Sequence, residues 1–117
     1  MQSLLEFWNP HLERCGFVLK DGAVVEVLNV HEDPQRGFRV DPLEILKHEG
    51  QVSATWHTHP HTGPNLSMAD YNTFLAWPEW FHYVAARDTV WCYYVEQNRV
   101  LLHDDFDLPR VSEGTLS

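Results

Sequence analysis

Apolar runs alternate with short polar stretches along the chain, and this pattern divides it into predicted elements. Runs rich in β-branched and aromatic residues predict strands, because these side chains favour a pleated sheet. Strands are predicted at 15–20, 23–30, 38–40, 51–58, 80–86, 89–96 and 99–103, and helices at 3–9, 41–48 and 67–76. Clustered strands with separated helices are typical of an α+β fold, or of α-β-α layering on a mainly antiparallel mixed sheet.

Turn and capping residues support several of these boundaries. Asp21-Gly22 lies between the first two predicted strands and is a strong hairpin signal. Asp41 stands directly before a proline, an arrangement that suits the start of a helix. Ser67 and Asp70 have the spacing of a capping box, with Asp in place of the usual Glu.

Length and charge restrict the class of protein. The 117 residues fit one domain, and 44% of them are hydrophobic, which is ordinary for a globular protein. The formal net charge is −9, which argues against nucleic acid or an anionic membrane as a partner, since both attract basic surfaces. We expect residues 1–104 to form the domain and the acidic residues 105–117 to be a loose tail.

Cysteine content and the N-terminal segment bear on location. Cys15 and Cys92 are too few for a disulfide framework or a cysteine-based zinc site, so we expect both to be reduced core residues. The N-terminal segment has neither the basic nor the long apolar region of a signal peptide, and no apolar stretch reaches membrane-spanning length. These features predict a soluble cytoplasmic protein.

The chain contains eight histidines, and two of them form an H-x-H pair on a predicted strand. His57 and His59 are two residues apart, so their side chains point to the same face of that strand. Asp70, in the first turn of the next predicted helix, can supply a carboxylate to the same point. Two neutral imidazoles and one carboxylate suit zinc and leave a ligand position open for water. Taken separately, each feature also has a structural explanation, because an H-x-H pair is weak evidence in a histidine-rich chain and Ser67 and Asp70 suit helix capping.

Taken together, the sequence HTHP at 57–60 and SMAD at 67–70 resembles the signature of the JAMM zinc metalloproteases, also known as the MPN-plus or JAB-domain family. That pattern is His-Ser/Thr-His-Pro, with seven residues between the second histidine and a serine, and then two residues before an aspartate. The family also carries an upstream glutamate in the context E-x-x-G/A-apolar-apolar, which the sequence ERCGFV at 13–18 fits. The resemblance extends from about residue 4 to about residue 103 and implies a single-domain α-β-α sandwich.

The resemblance implies a role for each matching residue. His57, His59 and Asp70 would bind one Zn²⁺ per chain, which lowers the pKa of its water to about 7. Glu13 would accept the proton of that water and pass it to the leaving amine, and Ser67 would hydrogen-bond the developing oxyanion. Without the resemblance, Glu13 reads as an exposed carboxylate at the entrance to a strand.

The substrate is less defined than the metal site. Leu66 stands where many family members have proline, and the insertions with which deubiquitinating members hold ubiquitin are not evident. Asn29 to Pro34, followed by Phe38, resembles peptidases of phage tail assembly. The implied partner is therefore a protein or peptide substrate in a bacterium or phage-infected cell, and a phage tail protein is one candidate. The alternatives are a ubiquitin-like or sulfur-carrier protein trimmed at its C-terminus, and a non-catalytic scaffold of the MPN type, although silent relatives usually lack the ligand set.

The remaining histidines have simpler interpretations. His61 follows Pro60 in a predicted loop and is expected to be solvated. His82 alternates with apolar residues on a predicted strand and is expected to be a surface or hydrogen-bonded core histidine. His31, with the acidic residues that follow it, is expected to lie in a turn rather than in a second metal site.

Overall fold

The computed structural model describes residues 3–103, so the predicted tail at 105–117 lies outside the described residues. The N-terminal segment forms a 3-10 turn, Leu4–Phe7, rather than the longer helix predicted over 3–9. The other elements, in chain order, are β1 (Cys15–Leu19), β2 (Val24–Val27), α1 (Pro42–Lys47), β3 (Val52–Thr58), α2 (Met68–Ala76), β4 (Phe81–Ala85), β5 (Val90–Glu96) and β6 (Arg99–Leu102). This arrangement confirms the predicted α+β class.

The six strands form one mixed sheet in the order β2-β1-β3-β4-β5-β6. Neighbouring strands are antiparallel except for β3 and β4, which are parallel. A parallel pair needs a crossover connection, and α2 lies within the connection between these two central strands. The first turn of α2 therefore begins near the end of β3, where the candidate ligands lie.

The two faces of the sheet are covered differently. One face packs against α1 and α2 through apolar clusters that include Phe17, Ile45, Phe74 and Val84. The 3-10 turn packs on the opposite face, where Leu4 joins the cluster around Trp56. Helical segments therefore flank the sheet, with both α-helices on the face that carries His57.

Gly16 explains part of the E-x-x-G motif in packing terms. A Cβ on this residue would lie 1.9 Å from the Val25 carbonyl oxygen and 2.8 Å from the Trp56 indole. Trp56 is fully buried and lies directly against the backbone of β1 at this point. Only glycine allows β1, β2 and the indole to approach this closely.

Most local predictions are confirmed, but the segment 38–40 is not a strand. Asp41 caps α1 by accepting a hydrogen bond from the Leu43 N–H, and the capping box of α2 is present. Val40 forms only an isolated bridge with Asn29. The Arg39 N–H donates to the Asn29 side chain, so this segment makes only part of a strand ladder.

Cys15 and Cys92 are free and buried, as expected. Burial raises the pKa of each thiol to about 12, so both remain protonated near neutral pH. Among residues 3–103, no helix has the length and apolar character needed to cross a membrane.

Candidate metal centre

The end of β3 brings the two histidines of the H-x-H pair together. His57 is fully buried and His59 is 5% exposed. Their Nε2 atoms are 3.1 Å apart, so both rings point toward one position, as the two-residue spacing predicts. The His59 N–H donates to the Ala85 carbonyl, which extends the pairing of β3 with β4 past the end of the strand.

Asp70 completes a triangle of ligand atoms. Its Oδ2 lies 3.0 Å from the Nε2 of His59 and 3.3 Å from that of His57. Tetrahedral zinc with bonds of about 2.0–2.1 Å would hold its ligand atoms about 3.3 Å apart. The three separations are within about 0.4 Å of that spacing, so the residues fit a zinc ion with one position left for a further ligand.

Strand register brings Glu13 to the same place from the far end of the sequence. Cys15 pairs with His57 in the antiparallel β1–β3 ladder, and the Thr58 N–H donates to the Arg14 carbonyl at 2.9 Å. Glu13 therefore lies across from His59 on the same face. The candidate ligand atoms of Glu13, His57 and His59 all lie within 4.8 Å of one another.

The Glu13 carboxylate is buried rather than exposed. Only 6% of the residue is exposed, and its Oε1 has no hydrogen-bond partner among residues 3–103. Burial raises the pKa of Glu13 to about 7, partly opposed by His59 and assisted by Asp70. An unsatisfied buried carboxylate is costly unless a cation or a bound water compensates it, so this oxygen also fits a metal centre.

The three candidate ligands shift one another's pKa values. Burial raises the pKa of Asp70, but its hydrogen bonds with His57 and His59 outweigh this effect and leave the pKa below its usual range. Burial lowers the pKa of His57. It also opposes protonation of His59, whose pKa is nevertheless raised by its hydrogen bonds to Asp70 and Gly63. Metal ligation requires neutral imidazoles and an ionised carboxylate, so a cation bound here would compete with protonation of His59.

Contacts outside the triangle orient His59. Its Nδ1 lies 2.9 Å from the Gly63 carbonyl oxygen, which fixes the proton on Nδ1 and leaves Nε2 as the ligating atom. The Trp8 indole N–H donates to the His59 carbonyl, and the Tyr93 hydroxyl donates to the Pro64 carbonyl. Sequence reasoning missed Trp8 and Tyr93, since contacts across such long separations leave no local pattern.

His57 is held by packing. Its ring stacks on Phe38 with centroids 4.2 Å apart, and Phe74 approaches its ring edge-on at 5.9 Å. Its Nδ1 is buried without a hydrogen-bond partner in the described part of the chain. Phe38 thus connects the loop before α1 to a candidate ligand.

Ser67 is exposed and caps α2. Its Oγ accepts a hydrogen bond from the Asp70 N–H at 3.0 Å, and the Asp70 Oδ2 lies 3.4 Å from the Ser67 backbone nitrogen. The capping box therefore also places the Asp70 carboxylate. Since Oγ acts as an acceptor in this bond, its own hydrogen remains available, and the predicted contact with an oxyanion stays a prediction.

A groove of roughly 430 Å³ lies between the loop before α1 and helix α2. Ser67 and Asp70 lie at one end of its lining. Its walls include His31, Phe38, Arg39, Ile45, Thr73 and Trp77. Asp70 is the candidate zinc ligand that belongs to this lining, so the groove adjoins the candidate metal centre.

The other histidines behave as the sequence indicates. His61 is exposed in the loop after β3. His82 is fully buried and hydrogen-bonded at both ring nitrogens, to the Thr55 hydroxyl and to the Trp77 carbonyl. The His31 Nδ1 accepts the Asp33 N–H, as expected of a turn.

Residues 8–100 match the family of prokaryotic homologs of the JAB domain. The chain matches no curated protein. Among solved structures it resembles protein DSY2949 from Desulfitobacterium hafniense, whose solution structure was a Northeast Structural Genomics Consortium target, with a TM-score of 0.61. The two chains are 22% identical over 80% of this chain and 76% of the other, a level at which the likeness supports the fold alone.

Proposed function

Since this chain belongs to the prokaryotic homologs of the JAB domain, we propose that it is a zinc-dependent peptidase that hydrolyses a peptide or isopeptide bond. The JAB family includes hydrolases. The observation that carries the proposal is the triangle of His57, His59 and Asp70, with the buried Glu13 carboxylate beside it. A non-catalytic scaffold has no need of such a set.

His57, His59 and Asp70 would hold one zinc ion per chain. When bound there, the zinc would supply a Lewis acid and would lower the pKa of a ligated water. Glu13 accepts a proton from the attacking water as the water oxygen bonds to the substrate carbonyl carbon. As the C–N bond breaks, Glu13 returns that proton to the leaving amine.

Ser67 and the groove act on the substrate. The Ser67 hydroxyl donates a hydrogen bond toward the carbonyl oxygen as negative charge develops on it. The groove beside Ser67 and Asp70 binds the substrate chain in an extended form and excludes part of the solvent.

Two substrate classes follow from the family resemblance. One is a phage tail protein cleaved during assembly, and the other is the C-terminus of a ubiquitin-like or sulfur-carrier protein. Both would be met in the cytoplasm of a bacterium or of an infected host cell. The third reading, an assembly scaffold, is opposed by the complete ligand set.

The test measures cleavage of two probes by zinc-loaded protein with mass spectrometry. One probe is a proteome-derived peptide library, and the other is a small ubiquitin-like carrier with a C-terminal extension after Gly-Gly. We expect new termini that disappear with chelator and in His57→Ala, whereas His61→Ala, which changes an exposed loop histidine, cleaves as wild type does. Zinc-loaded wild type that leaves both probes intact would overturn the proposal.

A further inference from the structure

We propose that Asn29 is a positioning residue that holds the main chain of Glu13 and thereby aligns its carboxylate with the metal centre. This inference rests on the proposed function, because it assigns Asn29 to the geometry of the base. Asn29 lies between β2 and α1 and does not belong to the ligand triangle. Its side chain makes more hydrogen bonds than capping or a simple turn requires.

The Asn29 carboxamide uses both its donors and its acceptor oxygen. Its Nδ2 donates to the Glu13 carbonyl and to the Gly37 carbonyl, each at 2.9 Å. Its Oδ1 accepts the N–H groups of His31 and Arg39, each at 3.0 Å. A primary amide is the side-chain group that offers two N–H donors and a two-lone-pair acceptor together, so aspartate cannot replace it here.

The same loop holds Glu13 from its other side. The Glu13 N–H donates to the Pro34 carbonyl at 2.7 Å. The carbonyl and the N–H of Glu13 are therefore both bound to the segment that Asn29 organises. This double contact fixes the backbone of Glu13 just before β1 begins.

The position of the Glu13 backbone matters because few side-chain hydrogen bonds orient the carboxylate. Oε1 has no hydrogen-bond partner among the residues that the structure describes. Misplacement of a reacting group by about 1 Å can reduce a rate about 100-fold. Asn29 links this carboxylate to the loop that carries Phe38 and forms one wall of the groove.

The test compares Asn29→Asp with Asn72→Asp, a matched charge change on an exposed position of α2. Asn29→Asp keeps the acceptor that holds His31 and Arg39 but loses the donors to Glu13 and Gly37. In the metal-free protein, we expect the Glu13 amide proton to exchange with solvent about tenfold faster than in wild type, measured by NMR. Asn72→Asp is expected to exchange as wild type does.

Kinetics on a fluorogenic peptide, built on a site that wild type cleaves in the library, provide the second readout. We expect Asn29→Asp to bind one zinc and to lose about 10–100-fold in kcat. Its KM should change less than about threefold, since Oδ1 of the variant still accepts the N–H groups of His31 and Arg39 in the groove wall. If Asn29 served stability alone, Asn29→Asp would lower the melting temperature. At temperatures where the variant is folded, its kcat would then equal that of wild type.

Each result decides the question. If the folded, zinc-loaded Asn29→Asp retains wild-type kcat, or its Glu13 amide exchanges as slowly as in wild type, the inference is wrong while the proposed function stands. If zinc-loaded wild type cleaves no substrate, the proposed function is wrong, and so is the role of Asn29 in catalysis. Faster exchange of the Glu13 amide proton in Asn29→Asp would then still show that Asn29 holds the backbone of Glu13. If Asn29→Asp does not fold, Asn29→Ser is measured in the same way, and failure of both to fold would show that Asn29 serves stability alone.

Discussion

Glu13 is a buried acid whose Oε1 atom has no hydrogen-bond partner among residues 3–103, an arrangement that costs stability and suits a group that takes part in chemistry. We predict that Glu13→Gln retains one zinc and loses at least about 100-fold in hydrolysis, the contribution typical of a general base. The amide should also stabilise the metal-free protein at pH 8, where the native carboxylate is charged and desolvated. Zinc analysis, cleavage rates and urea unfolding measure these three effects.

Glu79→Gln is the control for that substitution, because Glu79 is exposed and lies outside the candidate site. It should leave zinc content, cleavage and stability unchanged. Full cleavage activity in Glu13→Gln would remove Glu13 from the role of base.

His82 provides a pH dependence that is separate from the metal. Burial lowers its pKa from 6.5 to about 4, with a smaller contribution from the charge of His57 and opposition from its hydrogen bond to the Trp77 carbonyl. Between these values the unfolded chain binds more protons than the folded one, so stability decreases as pH falls below 6.5. Between pH 6.5 and pH 5 the protonation of this group in the unfolded chain should lower the free energy of unfolding of wild type by about 1.5 kcal/mol.

Urea unfolding at pH 6.5 and pH 5 of wild type and His82→Gln checks this prediction. The variant should lose less stability over that interval than wild type, whereas His11→Gln, an exposed histidine, should follow wild type. Equal losses in wild type and His82→Gln would mean that His82 is protonated in the folded state at pH 5.

At the scale of elements, the start of α2 serves both stability and the site, because one capping box caps the helix and positions Asp70. We predict that Ser67→Ala lowers the free energy of unfolding of the metal-free protein by about 1 kcal/mol, the usual cost of a lost N-cap. Ser67→Thr retains a hydroxyl and should lose less. Urea unfolding measures both, and zinc affinity should fall with Ser67→Ala if the cap holds Asp70 in place.

Site features that arise within one element could be predicted from the sequence, whereas those that join distant segments could not. The pairing of His57 with His59 follows from strand periodicity, and the position of Asp70 follows from capping rules, so both were predictable from neighbouring residues. The hydrogen bonds that hold the backbone of Glu13 were not predictable, because Asn29, Pro34 and Glu13 meet only through the tertiary fold. The strand expected over 38–40 failed for a related reason: the Asn29 side chain takes the Arg39 N–H that a strand ladder would use.

The order of the sheet likewise lay beyond the sequence pattern. Strand propensity located β3 and β4, but alternation does not show whether two strands pair in parallel. Their parallel pairing requires the crossover that contains α2. That topology carries Asp70 back to the end of β3.

At the scale of the whole molecule, zinc binding should stabilise the fold, because the ligands come from β3 and α2 and assemble only when the domain folds. Free zinc at 100 times its dissociation constant should add about 2.7 kcal/mol to the free energy of unfolding. Calorimetry should show a higher melting temperature with zinc in wild type and His61→Ala and no shift in His57→Ala. An equal shift in all three would place the zinc elsewhere.

Anomalous diffraction from crystals of the zinc-loaded protein, with data collected on both sides of the zinc absorption edge, locates the metal directly. We predict one peak per chain, about 2.0–2.2 Å from the Nε2 atoms of His57 and His59 and from a carboxylate oxygen of Asp70. Glu13 should lie outside bonding distance of the metal but within hydrogen-bond reach of its fourth ligand. A peak at another place, or Glu13 in place of Asp70 as the third ligand, would show that His57, His59 and Asp70 are not the zinc-binding set.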